Sequence, residues 1–176
     1  TETEGLSQLI RALDGPLGDC LVAAIEVIRS ARGRVVLTGM GKSGHVARKI
    51  AGTLASTGTP AFFVHPAEAS HGGLGMIAPD DVVLMISNSG ESAELRDILN
   101  YSRRFAVPLI AITANGASTL ASEADLLLIL PAAREACPNG LAPTTSTLLQ
   151  LALGDALAVA LLEDKGFTAR DFKNLH

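Results

Sequence analysis

Five short apolar segments, separated by stretches with helical spacing, constrain the fold of this chain more than any other feature. Their apolar residues are continuous rather than alternating, which is typical of strands buried on both faces. Because these strands alternate with helices, we expect parallel βαβ units and a doubly wound α/β fold, with a five-stranded parallel sheet flanked by helices. The predicted strands are 34–38, 61–65, 81–87, 108–113 and 125–130.

The predicted helices follow from apolar residues three or four positions apart. Leu17, Leu21 and Ile28 share one face and predict an N-terminal helix over about 5–31. A chain of 176 residues can bury a substantial core, and no repeat, linker or low-complexity segment divides it, so we expect a single domain over 1–176. The other predicted helices are 44–56, 91–105 and 117–124, with a long apolar helix over about 144–165.

Charge and composition narrow the possible partners. The net charge is −4 and no basic run is present, so neither nucleic acid nor an anionic membrane is an expected partner. The acidic residues 1–4 do not resemble a signal peptide, and we expect no apolar segment to reach the roughly 20 residues that span a bilayer. The two cysteines, Cys20 and Cys137, do not indicate a disulfide framework. We therefore expect a cytoplasmic protein.

The glycine turn GMGKSG, at 39–44, follows the first strand and precedes a helix. A dinucleotide site needs an acid at the end of the second strand, and the segment FFVHP there has none. A P-loop needs a glycine at position 36, which is Val36. A glycine turn at a helix start still offers backbone N–H groups to an anion, and Lys42 adds a positive charge. These observations favour a small phosphate ester as the ligand.

Polar clusters follow the first, third and fifth strands, and hydroxyl residues open the last helix. Carboxyl ends of parallel strands meet at one edge of a sheet, where ligands of such folds bind. For each cluster taken alone, helix capping by Ser and Thr remains an alternative explanation. The predicted substrate-binding residues are Gly41 and Ser43, then Ser87, Asn88, Ser89 and Ser92, and finally Thr144, Thr145 and Ser146.

Four segments together resemble one known family. The segment 35–77, with ISNSGESAE, EACPNGLAPTTST and GDALAVALLEDKGFTARDF, is similar to the sugar isomerase (SIS) domain of D-arabinose 5-phosphate isomerases. The resemblance implies a flavodoxin-like five-stranded parallel sheet and the interconversion of D-ribulose 5-phosphate and D-arabinose 5-phosphate. It also implies supply of Kdo for lipopolysaccharide synthesis, a homotetramer, and no nucleotide cofactor.

The resemblance places the catalytic groups on Lys42, Glu94, Glu135 and His176, with His71 as a further substrate-site residue. Our hypothesis gives Glu135 the carbon-proton transfer, with a pKa raised by burial among apolar neighbours. Lys42 would stabilise charge on oxygen or bind phosphate, and His176 would open the sugar ring or move the oxygen proton. Glu94 would orient a partner or share the role of base.

Several of these histidines and acids have simpler explanations. Glu94 lies near a helix start, where the helix dipole favours an acid without any catalysis. His45 is expected to be structural. His65 and His71 could form a metal pair, but no nearby carboxylate or cysteine completes a usual ligand set, so no metal is predicted.

The family pattern continues past His176 with His-Pro-Gly-Gly and usually a pair of CBS domains. These CBS domains are absent here, so the chain is expected to be a single-domain form or an excised part. Whether His176 acts in its own or a neighbouring subunit stays open.

Two rival functions also stay open. An SIS isomerase of another ketose phosphate would share SNSGES but not EACPNG. A non-catalytic sugar-phosphate sensor would need the hydroxyl cluster but not Glu135 and His176 together.

Overall fold

The computed structural model describes residues 1–175. It contains eight α-helices and five strands in these residues, with short 3₁₀ turns at Gly73–Met76 and Ala93–Leu95. The strands are β1 (Val35–Gly39), β2 (Ala61–Phe63), β3 (Val82–Ile86), β4 (Leu109–Thr113) and β5 (Leu126–Ile129). The helices are α1 (Glu2–Leu13), α2 (Pro16–Ser30), α3 (Gly41–Ser56), α4 (Pro66–Ala69), α5 (Arg96–Phe105), α6 (Thr119–Glu123), α7 (Thr145–Asp164) and α8 (Ala169–Leu175).

All five strands form one parallel sheet in the order β2-β1-β3-β4-β5, which confirms the predicted fold class. The strand order reverses between β1 and β3, which pair from Val35 opposite Val82 to Gly39 opposite Ile86. In open α/β sheets the crevice beyond the carboxyl ends at such a reversal is the usual ligand site. The glycine turn 39–44 and the segment 87–92 therefore begin side by side.

Each face of the sheet has its own apolar core. Leu37, Leu84 and Ile112 point to one face, where they pack with α1, α2, α3 and α7. Val36 and Met85 point to the other, where they pack with α4, α5 and α6. Burial on both faces explains why the strand sequences are continuously apolar rather than alternating.

The single N-terminal helix predicted over about 5–31 is wrong, because the structure has two helices there. The break falls at Asp14 and Gly15, and Pro16 begins α2. Proline lacks an N–H and clashes with the preceding turn, so it is tolerated in the first turn of a helix but not in its interior. The helices then pack closely, since a Cβ on Gly18 would lie 2.1 Å from the Leu13 carbonyl oxygen.

The long helix α7 is the one described helix long and apolar enough to cross a membrane, contrary to the sequence-based expectation that no segment would reach that length. Half of its most apolar 18-residue window is buried inside the protein. Leu149, Leu153 and Leu157 are fully or almost fully enclosed against the sheet and α3. The apolar character of α7 thus reflects its position as a core helix.

Candidate active site

A cavity of about 530 Å³ opens beyond the carboxyl ends of β1, β3 and β5. It brings together polar residues from four parts of the chain. The first and the last of these parts lie more than one hundred positions apart in the sequence. The turn after β1, the segment after β3, the loop after β5 and the first turn of α7 each contribute. Its polar lining residues are Lys42, Ser43, Ser87, Asn88, Ser89, Ser92, Glu135, Ser146 and Thr147.

Glu135 is fixed by the start of α7. Its Oε2 atom accepts hydrogen bonds from the Thr144 backbone N–H (2.8 Å), the Thr144 Oγ1 (3.0 Å) and the Ser146 backbone N–H (3.2 Å). The first N–H groups of a helix have no partner within the helix, so a carboxylate placed there satisfies them. The Thr144 hydroxyl also accepts a hydrogen bond from the Ala136 N–H at 2.9 Å, which ties the loop to the helix from both directions.

The expectation of a raised pKa for Glu135 is wrong. Partial burial does raise the pKa, but hydrogen bonds from the Ser146 side chain, the Thr144 and Ser146 N–H groups and the Thr144 hydroxyl outweigh it. The resulting pKa is below the ordinary glutamate value, because every one of these donors favours the charged form. Glu135 is therefore a carboxylate at neutral pH.

The segment after β3 forms a tight polar loop. Gly90 has a φ of 70°, and a Cβ there would lie 2.0 Å from the Ser118 Oγ, so only glycine fits. Its N–H donates to the Ser87 Oγ at 3.1 Å, and the Ser87 and Ser92 hydroxyls are 3.1 Å apart. Serine hydroxyls grouped around a glycine turn can donate several hydrogen bonds to a phosphate group.

Glu91 anchors this loop to its neighbour. Its two carboxylate oxygens accept hydrogen bonds from the Thr119 N–H (2.7 Å) and the Thr119 Oγ1 (2.8 Å) at the start of α6. The Asn115 side chain also donates to the Ser89 carbonyl at 3.2 Å. Sequence reasoning missed this role of Glu91, although an acid next to Gly90 is a signal that could have suggested it.

Lys42 lies in the first turn of α3 and lines the cavity. Within residues 1–175 its ammonium group makes no ion pair and no side-chain hydrogen bond. A cation at the positive end of a helix is electrostatically unfavourable by itself. Its position therefore suits it to an anionic ligand in the cavity.

Other predicted residues lie outside the lining of this cavity. Gly41, with a φ of 56°, begins α3 and is exposed, and Thr145 is fully buried behind the site. Thr144 contacts Glu135 rather than the cavity. The exposed residues Glu94 and His71 also lie outside it, in the 3₁₀ turn before α5 and the loop after α4. His176 is outside the described residues.

Further lining residues were not predicted as site residues. They are the apolar or backbone groups Met40, Ile86, Ala133, Gly140, Leu141 and Pro143. A second cavity of about 400 Å³ adjoins the first and shares Asn88, Ala133, Glu135 and Ser146 with it. Among residues 1–175 no three His, Cys, Asp or Glu side chains are close enough to hold a metal ion together.

Comparisons with known proteins agree with this geometry. The sequence profile of the SIS domain family matches residues 27–160. The arabinose 5-phosphate isomerase KdsD of Pseudomonas aeruginosa is 58% identical over 160 residues, which are 91% of this chain and 49% of that protein. KdsD of Escherichia coli K12 is 53% identical over 169 residues, 96% of this chain and 52% of that protein. The chain thus spans about half the length of these curated relatives.

A solved structure supports the same assignment. The Escherichia coli CFT073 protein in complex with arabinose 5-phosphate superimposes with a TM-score of 0.91 at 47% identity, covering 98% of this chain and 91% of that one. The family profile covers most of the chain, and the structure has the five-stranded parallel sheet that the resemblance to this family implies. This chain therefore belongs to the SIS domain family.

Proposed function

We propose that this chain is an aldose–ketose isomerase that interconverts D-ribulose 5-phosphate and D-arabinose 5-phosphate through an enediol or enediolate intermediate. One observation carries the proposal: the Glu135 carboxylate shares a cavity with the serine loop 87–92 and Lys42. A non-catalytic binding site would need only the loop and the cation. The names of the curated relatives, and the arabinose 5-phosphate bound in the similar solved structure, support this choice of substrate.

In the proposed complex the loop 87–92 holds the phosphate through the hydroxyls of Ser87, Ser89 and Ser92. The sugar chain then extends across the cavity towards Glu135. With a volume of about 530 Å³, the cavity has room for an open-chain pentose phosphate. Ser43 also lines the cavity and can add a hydrogen bond to the phosphate.

The chemical step moves one proton between carbons. Starting from the open-chain aldose, the Glu135 carboxylate removes the proton from C2, and the C–H electron pair forms the C1–C2 double bond of the enediolate. Lys42 stabilises the negative charge that develops on the C1 oxygen. Return of the proton to C1 and transfer of the O2 proton to O1 give the ketose and leave Glu135 as a carboxylate.

The lowered pKa of Glu135 favours its charged state, which a base needs, but reduces its strength as a base. It keeps the group deprotonated and ready to accept a proton at neutral pH. It also makes the carboxylate a weaker base, so the stabilisation of the enediolate by Lys42 has to compensate. No cofactor enters this scheme.

Ring opening of the aldose and the oxygen-proton transfer are assigned to His176, which lies outside the described residues. Glu94 and His71 would take part only if neighbouring subunits of a proposed homotetramer carry them to the cavity. We further propose that the protein is cytoplasmic and that its product supplies Kdo for lipopolysaccharide synthesis.

The test is incubation with ribulose 5-phosphate in D₂O, followed by NMR. We expect arabinose 5-phosphate to appear with deuterium incorporated at C2, and Glu135→Gln to abolish both. Glu163→Gln, at the exposed end of α7, is the matched control and should retain activity. If the protein turns over a different ketose phosphate instead, the substrate assignment is wrong. If it binds arabinose 5-phosphate without turnover, it is a sensor rather than an enzyme.

A further inference from the structure

Helix α1 packs against α7, whose first turn holds the Glu135 carboxylate. Gly5 is buried in this helix. A Cβ at Gly5 would lie 2.5 Å from the Thr145 Cγ2 atom, 3.5 Å from the Ala133 Cβ and 3.5 Å from the Leu149 Cδ2. Real Cβ atoms do not approach other carbons to 2.5 Å, so position 5 has no room for any side chain.

Each of these three residues lines a cavity that Glu135 also lines, or adjoins the donors to its carboxylate. Ala133 lines the cavity and its neighbour, and Leu149 lines the neighbouring cavity. Thr145 lies between Thr144 and Ser146, whose backbone N–H groups hold the Glu135 carboxylate. A displacement of Thr145 would therefore move both of those N–H groups.

Thr145 cannot easily move aside. Its side chain is completely enclosed, with 0% of the residue exposed, and it is β-branched, which restricts its rotamers in a helix. Close-packed interiors transmit a displacement instead of absorbing it. A side chain at position 5 would push the first turn of α7 rather than find space beside it.

We propose that Gly5 is a positioning residue: by letting the α1 backbone approach Thr145, it fixes the first turn of α7 and so the orientation of the Glu135 carboxylate. This inference rests on the proposed function, in which Glu135 moves the carbon proton. The active-site geometry then depends on a residue about 130 positions away in sequence that touches neither substrate nor carboxylate.

The experiment compares two glycine-to-alanine variants in the intact chain. Gly5→Ala should lower kcat between about tenfold and a hundredfold, the scale expected when a catalytic group is misplaced by up to an ångström. KM for ribulose 5-phosphate should change less than about twofold, because the serine loop 87–92 is not among the residues that a Cβ at position 5 would meet. Gly52→Ala in α3 is the control and should leave kcat unchanged, since a Cβ there would meet nothing within 4 Å.

A double variant tests the route through Thr145. Thr145→Ser removes the Cγ2 methyl that a Cβ at position 5 would strike. The loss of kcat caused by Gly5→Ala should therefore be smaller in the Thr145→Ser background than in the parent protein. An equal loss in both backgrounds would overturn this route.

An NMR titration of the Glu135 carboxyl carbon separates this inference from the proposed function, because it needs no turnover. Gly5→Ala should raise the pKa of Glu135 towards the ordinary glutamate value, since the N–H donors move away, whereas Gly52→Ala should leave the titration unchanged. An unaltered titration and kcat in a folded Gly5→Ala variant would overturn the proposal. If circular dichroism shows that Gly5→Ala does not fold, Thr145→Ser, which loosens the same contact, should shift the titration in the same direction, and no shift would overturn it.

Discussion

Glu135 and Thr144 are joined by two hydrogen bonds that converge on one oxygen: the Thr144 N–H and the Thr144 Oγ1 lie 2.8 Å and 3.0 Å from Glu135 Oε2. The same hydroxyl accepts the Ala136 N–H. Thr144 thus links the loop that carries the carboxylate to the helix that stabilises its charge. Its hydroxyl is committed to this contact, so we assign Thr144 a positioning role instead of the predicted phosphate contact.

Replacing Thr144 by valine should misplace the proposed base without affecting phosphate binding. Thr144→Val keeps the volume but removes one donor to the Glu135 carboxylate and the acceptor of the Ala136 N–H. The pKa of Glu135 should rise, which moves the acidic limb of the pH profile of kcat to higher pH. We expect kcat at neutral pH to fall roughly tenfold, with little change in KM.

The controls for this prediction separate the hydroxyl from the methyl group. Thr144→Ser retains the hydroxyl and should restore both kcat and the acidic limb. Thr53→Val removes a comparable hydroxyl from α3, where it donates only to the Lys49 carbonyl, and should change neither. An acidic limb that stays in place in Thr144→Val would contradict the positioning role.

The contact between Glu91 and Thr119 should determine how tightly the serine loop binds phosphate. Glu91→Ala removes the acceptor of both hydrogen bonds and leaves the loop held to α6 by the Leu120 N–H, which donates to the Gly90 carbonyl at 3.1 Å. Because Glu91 does not line the cavity and acts on the loop that is proposed to hold the phosphate, KM should rise about tenfold while kcat stays within about twofold. Steady-state kinetics check this, with Glu163→Ala as the control.

Inhibition by inorganic phosphate provides a second measurement on the same variant. If the loop holds the phosphate group, the inhibition constant of inorganic phosphate should rise together with KM. A rise in KM without any change in phosphate inhibition would place the phosphate elsewhere in the cavity.

The sequence predicts the sheet well because its signal is local. The three central strands, β1, β3 and β4, are fully buried and nearly continuous in apolar residues, and such runs indicate burial on both faces. The N-terminal helix was predicted less well, because the apolar spacing continues across the break and only Pro16 marks the new helix. Periodicity detects the buried face of a helix, not the end of its hydrogen-bonding pattern.

The candidate site, like the fold, could be predicted from the sequence only in part. Hydroxyls and glycines after the strands could be assigned to one sheet edge because parallel topology requires it. The pKa direction of Glu135 could not be predicted, since it depends on donors from Thr144 and Ser146, nine and eleven residues away. A loop of irregular backbone brings them together, and no periodic pattern encodes that contact.

The packing of α3 on α7 leaves no space at Gly154. A Cβ there would lie 2.2 Å from the Ile50 Cδ1 atom and 2.5 Å from its Cγ1. Gly154→Ala should therefore lower the free energy of unfolding by about 1–3 kcal/mol, although alanine favours helix more than glycine does. Urea denaturation measures this, and Gly52→Ala, with open space around it, should be neutral or stabilising.

The shape of Ile50 allows a direct check on that explanation. Ile50→Val removes the Cδ1 atom, so Gly154→Ala should cost less in the Ile50→Val background than in the parent protein. Equal costs in the two backgrounds would show that steric conflict with Ile50 is not the cause.

Two aspartates fix the amino-terminal edge of the sheet and should make stability depend on acid. Asp81 accepts hydrogen bonds from the Arg34 N–H (2.7 Å) and the Ala78 N–H (2.9 Å), and Asp125 accepts one from the Leu109 N–H (2.7 Å). Burial raises the pKa of Asp81, but these N–H groups and the Arg34 guanidinium lower it further than burial raises it. The side-chain hydrogen bond from Arg103 is the largest cause of the lowered pKa of Asp125.

A lowered pKa in the folded state means that the unfolded chain binds protons more readily than the folded one. The stabilisation by Asp81 is therefore complete above the unfolded pKa of about 3.9 and is lost as pH falls through the lower folded pKa. Asp81→Asn should lower the free energy of unfolding by about 2 kcal/mol at pH 7, because one amide oxygen replaces two charged acceptors.

The difference in free energy of unfolding between the parent protein and Asp81→Asn should stay constant from pH 7 to about pH 5. It should shrink below about pH 4, as the parent aspartate becomes protonated. Urea denaturation at pH 7, 5, 4 and 3 measures this difference. Asp155→Asn is the control, because it removes a half-exposed ion pair with Lys49 that should be worth at most about 1 kcal/mol. A difference that remains undiminished at pH 3 would show that Asp81 stabilises the sheet by its shape and polarity, not by its charge.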